Sequence, residues 1–446
     1  MKRIQSVVVV VAAVIAADAG CGGGDSALEP GPDASAPDAA QPGPPDASAG
    51  RCASGKAGAP CVLALYDVAV ASCTATDLAA LTEELDARRT LGPLWAAGRA
   101  LIRTDGPRRI AGSFNAWDPT ALAASSVCGS PLTVAVGAVP SGAWAYKLVD
   151  GDTWSLDPHD PAFVYDDFDG NADGANSSLV TPDAASGQLV HLDPACSTAL
   201  GNCRDVIAYL PPGYDAPNAA ARTYPVLFMH DGQNVFDDHD CCFGHTGWEV
   251  NVAMDAEIAA GRVAPAIVIA AYNTTDRNNE YGLDGAKLAA FVEFQVTQLQ
   301  PAALTQVRWD QQRVAVAGSS LGGLVAMHLG LEHPETYRAV ASLSGAFWPG
   351  MDDGTALRDR IPVLGKQDLA IYLDHGGAIA DNSDGAADSV EVRDLLVGQG
   401  WNLGRSPSCV LSGSTVCYHH EPGATHDELA WKARTWRFLR FLLPAT

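Results

Sequence analysis

Ser320 sits in Gly318-Ser319-Ser320-Leu321-Gly322, a G-x-S-x-G pattern. Arg313–Ala317 before it reads as a short buried strand, and Leu321–His333 after it as a helix stopped by Pro334. A strand turning sharply into a helix is the setting in which such a serine becomes an exposed nucleophile. The next backbone N–H, from Leu321, then lies at a helix N-terminus, where it can stabilise a developing oxyanion. The chemistry this implies is acyl transfer through a serine. It needs a general base and an acid that orients the base, in the chain order Ser, Asp or Glu, His. His426, in the loop Pro422–Asp427 before a C-terminal helical pattern, is the downstream histidine in the right setting, and His375, His419 and His420 are less well placed. The acid belongs in the loop after the strand Leu369–Leu373, where Asp374, Asp381 and Asp384 are the candidates. Asp374 ends the strand, and Asp381 is the choice because it lies far enough along to turn back toward the histidine.

The elements around these residues predict an α/β fold. From residue 187 to 446, apolar strands alternate with helical segments, as in a largely parallel sheet covered on both faces. Candidate strands are Asp205–Leu210, Tyr224–Met229, Ala266–Ala271, Arg313–Ala317, Ala339–Leu343, Leu369–Leu373 and Val410–His419. Ser320 follows the fourth, near the sheet centre. Residues 98–182 read as a small all-β sandwich with strands at Arg99–Arg103, Leu132–Val136 and Ala143–Val149. Residues 51–97 carry Cys52, Cys61, Cys73 and a helical pattern over Asp77–Arg88, with no function attached.

Residues 1–20 have the charges and short apolar run of an export signal, and Ala19-Gly20-Cys21 resembles a bacterial lipoprotein processing site with Cys21 as the lipidated residue. Asp18 departs from that pattern, because an apolar residue is usual there. Residues 21–50 are rich in Gly, Pro, Ala, Asp and Ser and read as a flexible tether. An exported location, at a membrane facing the periplasm or cell surface, follows as the expectation. Of 11 cysteines, all but Cys21 can pair, which suits an oxidising compartment. Spacing suggests Cys196–Cys203 and Cys409–Cys417, and leaves the pairing of Cys52, Cys61, Cys73 and Cys128, and the fate of Cys241-Cys242, open. The net charge of −24 offers no basic stripe for nucleic acid.

Two resemblances enter on these residues. Gly112-Ser113-Phe114-Asn115-Ala116-Trp117, Tyr146–Gly151, Asp157-Pro158 and Asn176–Leu179 resemble the early-set immunoglobulin-like domain, which includes carbohydrate-binding modules. Trp117, Trp144 and Trp154 are then either a stacking platform for sugar rings or sandwich core. Asp169–Gly174 imitates the start of a calcium loop, but Val180 stands where its closing Glu belongs, so a hairpin tip is expected and no metal.

Met229–Asp237, Asp276–Tyr281, Gly318–Gly323 and the His426 loop resemble the "Putative esterase" family of α/β-hydrolases. That family includes feruloyl and acetyl-xylan esterases, enterochelin esterases, esterase D-type enzymes and mycolyltransferases. The resemblance implies an α/β-hydrolase domain without cofactor, and an Asp231-Gly232-Gln233 turn on the oxyanion side, with Gln233 N–H as the second donor beside Leu321. It also implies Trp248, Arg277 and Glu280 as shapers of the cleft. The acid loop Gly376–Asp381 does not align cleanly with one family spacing. The expectation is a serine carboxylesterase acting on a small-molecule or polysaccharide ester, feruloyl or acetyl in type. A siderophore esterase or a non-catalytic glycan-binding lipoprotein are the alternatives.

Overall fold

The computed structural model describes residues 51–165, 174–236, 246–350 and 356–445. The signal and lipidation segment with Cys21, the tether, Asp169–Asp173 of the calcium-like loop, Asp237 and Cys241-Cys242 lie outside the described residues.

The N-terminal part opens with two helices, Ala59–Ser72 and Ala75–Asp86. Thr74 caps the second by accepting from Asp77 N at 3.2 Å, which satisfies one of the donors every helix start leaves open. Nine strands follow: β1 (Leu94–Ala96), β2 (Arg99–Thr104), β3 (Arg109–Gly112), β4 (Ser125–Ser126), β5 (Thr133–Ala138), β6 (Ala143–Asp150), β7 (Thr153–Ser155), β8 (Ala162–Tyr165) and β9 (Ala175–Val180). β1, β2, β5 and β4 make an antiparallel sheet. Because side chains alternate across a strand, Leu101 and Val134 face Val62, Leu63, Leu81 and Leu85 of the helices. Ala100, Ile102 and Ala135 face the other way, onto Ile110, Tyr146, Leu148 and Leu179. The segment 51–97 therefore covers the outer face of a sandwich. The disulfide Cys73–Cys128 ties it to the sheet, and Cys52–Cys61 closes a loop within it.

The rest of the chain contributes β10 (Gln188–Ser197), β11 (Asn202–Leu210), β12 (Tyr224–Met229), β13 (Ile267–Ala271), β14 (Trp309–Ser319), β15 (Ala339–Leu343), β16 (Ala370–His375), β17 (Asn402–Arg405) and β18 (Thr415–His420). From β13 to β17 every neighbour pair is parallel. These strands are apolar runs because helices cover both faces. Along β12, Val226 and Phe228 join the core that holds the helix Ser320–Glu332. Leu227 and Met229 join the opposite core, with Trp431, Phe438 and Leu439 of the C-terminal helix.

The two parts share a sheet. β10 pairs with β8 (Leu189↔Phe163, Val190↔Ala162), so the order runs β17-β18-β16-β15-β14-β12-β13-β11-β10-β8-β9-β6-β3 within one 14-stranded sheet. The boundary expected between residues 182 and 187 is thus a connection inside a continuous sheet. An unpaired β10 would expose a long row of backbone donors and acceptors, and β8 with Pro161 covers its first part, Leu189–His191. Cys196–Cys203 bridges β10 and β11, and Cys409–Cys417 secures the approach to β18, both as spacing suggested.

Candidate active site

β14 ends in the sheet centre, and the chain turns into the helix Ser320–Glu332 through Ser320, whose φ is 54°. A serine in this left-handed conformation stores strain that the surrounding packing must hold. Glycine makes that packing possible. A Cβ at Gly318 would lie 2.5 Å from the backbone carbonyl of Gly322. Ser320 C=O is tied by Ala346 N at 3.0 Å.

His426 Nε2 lies 2.9 Å from Ser320 Oγ, and its Nδ1 lies 2.6 Å from Asp384 Oδ1. The imidazole packs edge-on against Trp431, at 5.1 Å between centroids. The helix after it is started by Asp427, which caps Ala430 N at 2.9 Å. Ser320 and His426 are thus brought together as their motifs implied.

The acid differs from the expectation. Asp381 is exposed and spends its carboxylate on Ser383 N at 3.0 Å, a local turn bond that leaves it out of the site. Asp384 occupies the position, with a side chain only 2% exposed. Asn382, Asp384 and Gly385 all have positive φ, so the chain reverses after Asp381 and delivers the later aspartate. Asp374, the third candidate, is fully buried. It takes Arg434 Nε and Nη2 at 3.1 and 3.2 Å and Tyr372 OH at 2.9 Å.

Asp384 is held from its far side. Its Oδ2 accepts from Ser344 Oγ at 2.8 Å and from Gly376 N. Ser344 Oγ also accepts from Trp431 Nε1 at 3.0 Å and Arg434 Nη2 at 2.8 Å. The sequence offered no signal for Ser344 or Arg434, because neither stands in a motif.

The Asp231 turn follows β12, the strand beside β14, and His230 N donates to Ala317 O at 3.1 Å. It abuts the first turn of the serine helix so closely that a Cβ at Gly322 would lie 3.0 Å from Asp231 Oδ2. Gln233 and Leu321 are thereby on adjoining turns. Gln233 is itself fixed by a reciprocal amide pair, Nε2 to Asn273 Oδ1 at 2.7 Å and Asn273 N to Oε1 at 3.0 Å. Burial pushes the Asp231 carboxyl up, but Arg277, at 2.7 and 2.9 Å, outweighs it and holds the group below the usual carboxylate range. The ion pair keeps an uncompensated negative charge away from an oxyanion. His230 beside it is pushed down to about 4 by burial, so it is neutral at neutral pH.

Two expected cleft residues are placed elsewhere. Trp248 is 4% exposed and packs on Trp431 and Phe438 in the core. Glu280 is fully buried, paired with Arg204 at 3.1 Å and with Asn202 at 2.6 Å. Each supports the walls and neither faces the cleft. Arg277, the third, clamps Asp231. A cavity of about 430 Å³ opens beside the triad, lined by Ala378, Asp384, His420, Pro422, Thr425 and His426. Among the described residues no group of three or more His, Cys, Asp or Glu could hold a metal.

Residues 197–434 match the sequence model of the family described as "Putative esterase". The chain is 32% identical over 175 residues to an iron(III) enterobactin esterase of Dickeya dadantii, covering 39% of this chain and 36% of that one. It is 28% identical over 207 residues to an endo-1,4-beta-xylanase/feruloyl esterase of Xylanibacter ruminicola, covering 44% of this chain and 25% of that one. It thus spans about a third and a quarter of the length of these curated relatives. A crystal structure of the enterobactin esterase of Shigella flexneri aligns with a TM-score of 0.43 at 16% identity, covering 79% of this chain and 96% of that one.

Proposed function

Because the chain belongs to the Putative esterase family, we propose that it is a serine carboxylesterase working through an acyl-enzyme on Ser320. One observation carries the reading: the unbroken contact from Ser320 Oγ through His426 to Asp384, at 2.9 and 2.6 Å, on a strained strand-to-helix turn. His426 Nε2 takes the Ser320 proton as Oγ attacks the ester carbonyl, and Asp384 orients the imidazole and stabilises its charged form. Leu321 N–H and Gln233 N–H receive the oxyanion. His426 hands its proton to the leaving alkoxide. It then takes one from the water that attacks the acyl-enzyme, and the acid is released.

For the substrate we favour a carbohydrate-linked ester of feruloyl or acetyl type. Trp117 and Trp154, 37% and 43% exposed, lie 6.3 Å apart on the sandwich, and aromatic faces of this kind stack on sugar rings. The similarity to the enterobactin esterase favours a second reading, hydrolysis of a siderophore ester. Export with a lipid anchor at Cys21 fits the four disulfides of the described residues. The test is turnover of p-nitrophenyl acetate, methyl ferulate and a tri-catecholate lactone by the protein and its Ser320→Ala variant. Turnover abolished in the variant is expected, with methyl ferulate preferred over the lactone. Equal rates in both proteins would overturn the esterase reading, and a preference for the lactone would replace the carbohydrate one.

A further inference from the structure

We infer that Ser344 is a positioning residue for the catalysis proposed above, holding Asp384 with a hydroxyl proton whose direction two N–H donors of the C-terminal helix dictate; this rests on that reading of Ser320 and His426. Ser344 follows β15, is fully buried and has a φ of 47°, with its own N–H on Asp374 O at 2.9 Å. Three polar partners surround its Oγ: Asp384 Oδ2 at 2.8 Å, Trp431 Nε1 at 3.0 Å and Arg434 Nη2 at 2.8 Å. An indole N–H and a guanidinium only donate, and a hydroxyl has one proton and two acceptor sites. Trp431 and Arg434 fill both acceptor sites. The proton has one place left to go, Asp384 Oδ2.

That bond, with the one from Gly376 N, engages Oδ2 and leaves Oδ1 to face His426 Nδ1. Ser344 therefore helps choose which oxygen meets the imidazole and in what direction. The charges around it are arranged to the same end. Arg434 is 1% exposed and is paired with Asp374, which Tyr372 also contacts. Its charge is matched first by Asp374, and its hydrogen-bonded link to Asp384 runs through the Ser344 hydroxyl. Direct contact between Arg434 and Asp384 would hold the carboxylate more strongly and weaken its grip on the imidazolium. The ionisable groups that surround the pair are His426, Asp374, Arg434 and Tyr372, with His375 close enough to feel the Asp384 charge.

The test uses Ser344→Ala and Trp431→Phe, read by kcat, KM, the acid limb of kcat/KM and the titration of the His426 imidazole by NMR without substrate. Ser344→Ala frees Oδ2 and lets the carboxylate move, so kcat should fall on the order of 10²-fold at nearly unchanged KM. Asp384, with one charge-spreading hydrogen bond fewer, becomes a stronger acceptor. The acid limb and the His426 titration should both rise by about half a pH unit. Trp431→Phe keeps a smaller aromatic ring beside the imidazole but removes the indole N–H, which empties one acceptor site of the hydroxyl and frees it to turn. A smaller fall in kcat and a shift of the same sign are expected, and this variant decides the matter if Ser344→Ala does not fold. If both variants titrate as wild type and lose activity only in step with thermal stability, Ser344 is structural and the inference is overturned. The NMR titration separates this from the esterase reading. A wild type that turns over no ester would sink that reading, while the His426 titration would still report whether Ser344 governs Asp384.

Discussion

At one end of the large sheet, β6 buries Tyr146 between two carboxylates; near its middle, β12 and β16 run out into buried imidazoles. Tyr146 OH lies 2.8 Å from Asp157 Oδ2 and 2.9 Å from Asp160 Oδ2, yet it has one proton to give. Its single proton leaves one of the two contacts to be completed by a proton on an acid, and burial raises Asp160 to about 7, so that it takes one up in mild acid. In the hydrolase half, burial instead drives His230 and His375 each down to about 4. The same force, removal of a charged form from water, stores a proton in one region and expels it in the other. One sheet thus joins a part that gains from mild acid to a part that loses by it.

The comparison breaks most sharply on catalysis, which we assign to the hydrolase half alone. Asp384→Asn should lower kcat by roughly 10⁴-fold, because an amide at that position favours the wrong imidazole tautomer. Asp381→Asn should stay within about twofold of wild type, the usual scale for an exposed turn residue. Steady-state kinetics on one ester checks both. If Asp381→Asn is the crippled variant, the acid assigned from the geometry is wrong. Asp160→Asn, in the other half, should leave kcat untouched.

Legibility in the sequence followed burial. Tyr224–Met229 and Ala339–Leu343 were readable to the residue because strands covered on both faces must be apolar throughout. β10 was not, since its polar His191 and Asp193 alternate with apolar residues, and its partner β8 is 4 residues long. The serine and its histidine stand in local motifs, so spacing exposed them. Asp384 shares a short stretch with Asp374 and Asp381, and only the positive φ angles of that loop decide which aspartate turns inward. Ser344, Trp431 and Arg434 meet through the tertiary fold, and nothing in their local sequence announces it.

Covalent ties sharpen the contrast at a smaller scale. Cys73–Cys128 closes 55 residues, whereas Cys196–Cys203 and Cys409–Cys417 close 7 and 8. In the chain-entropy model the first stabilises by about 4 kcal/mol and the short ones by about 2.5. Cys73→Ser should therefore lower the denaturant midpoint more than Cys409→Ser does, with kcat unchanged in the folded protein. Equal losses would mean that loop length in the unfolded chain does not set the two contributions.

The smallest and most diagnostic effect is the opposed response to pH. His230, at about 4 in the fold and about 6.5 unfolded, binds fewer protons folded than unfolded across that interval. Its contribution is complete above pH 6.5 and is lost as pH falls toward 4. Asp160, at about 7 in the fold and about 3.9 unfolded, does the reverse. Its contribution is complete below pH 4 and is lost as pH rises through 7. At full size these amount to roughly 3 kcal/mol for His230 and roughly 4 kcal/mol for Asp160. Thermal melts from pH 5 to 7 should show Asp160→Asn stripped of the loss toward neutrality, so that its stability climbs more steeply with pH than wild type. His230→Gln should climb less steeply. Carboxylates held low by arginines, such as Glu257 at about 2, respond below this window and do not confuse it. Parallel slopes for wild type and Asp160→Asn would mean that the Tyr146 cluster keeps no proton, and the contrast between the two halves would go with it.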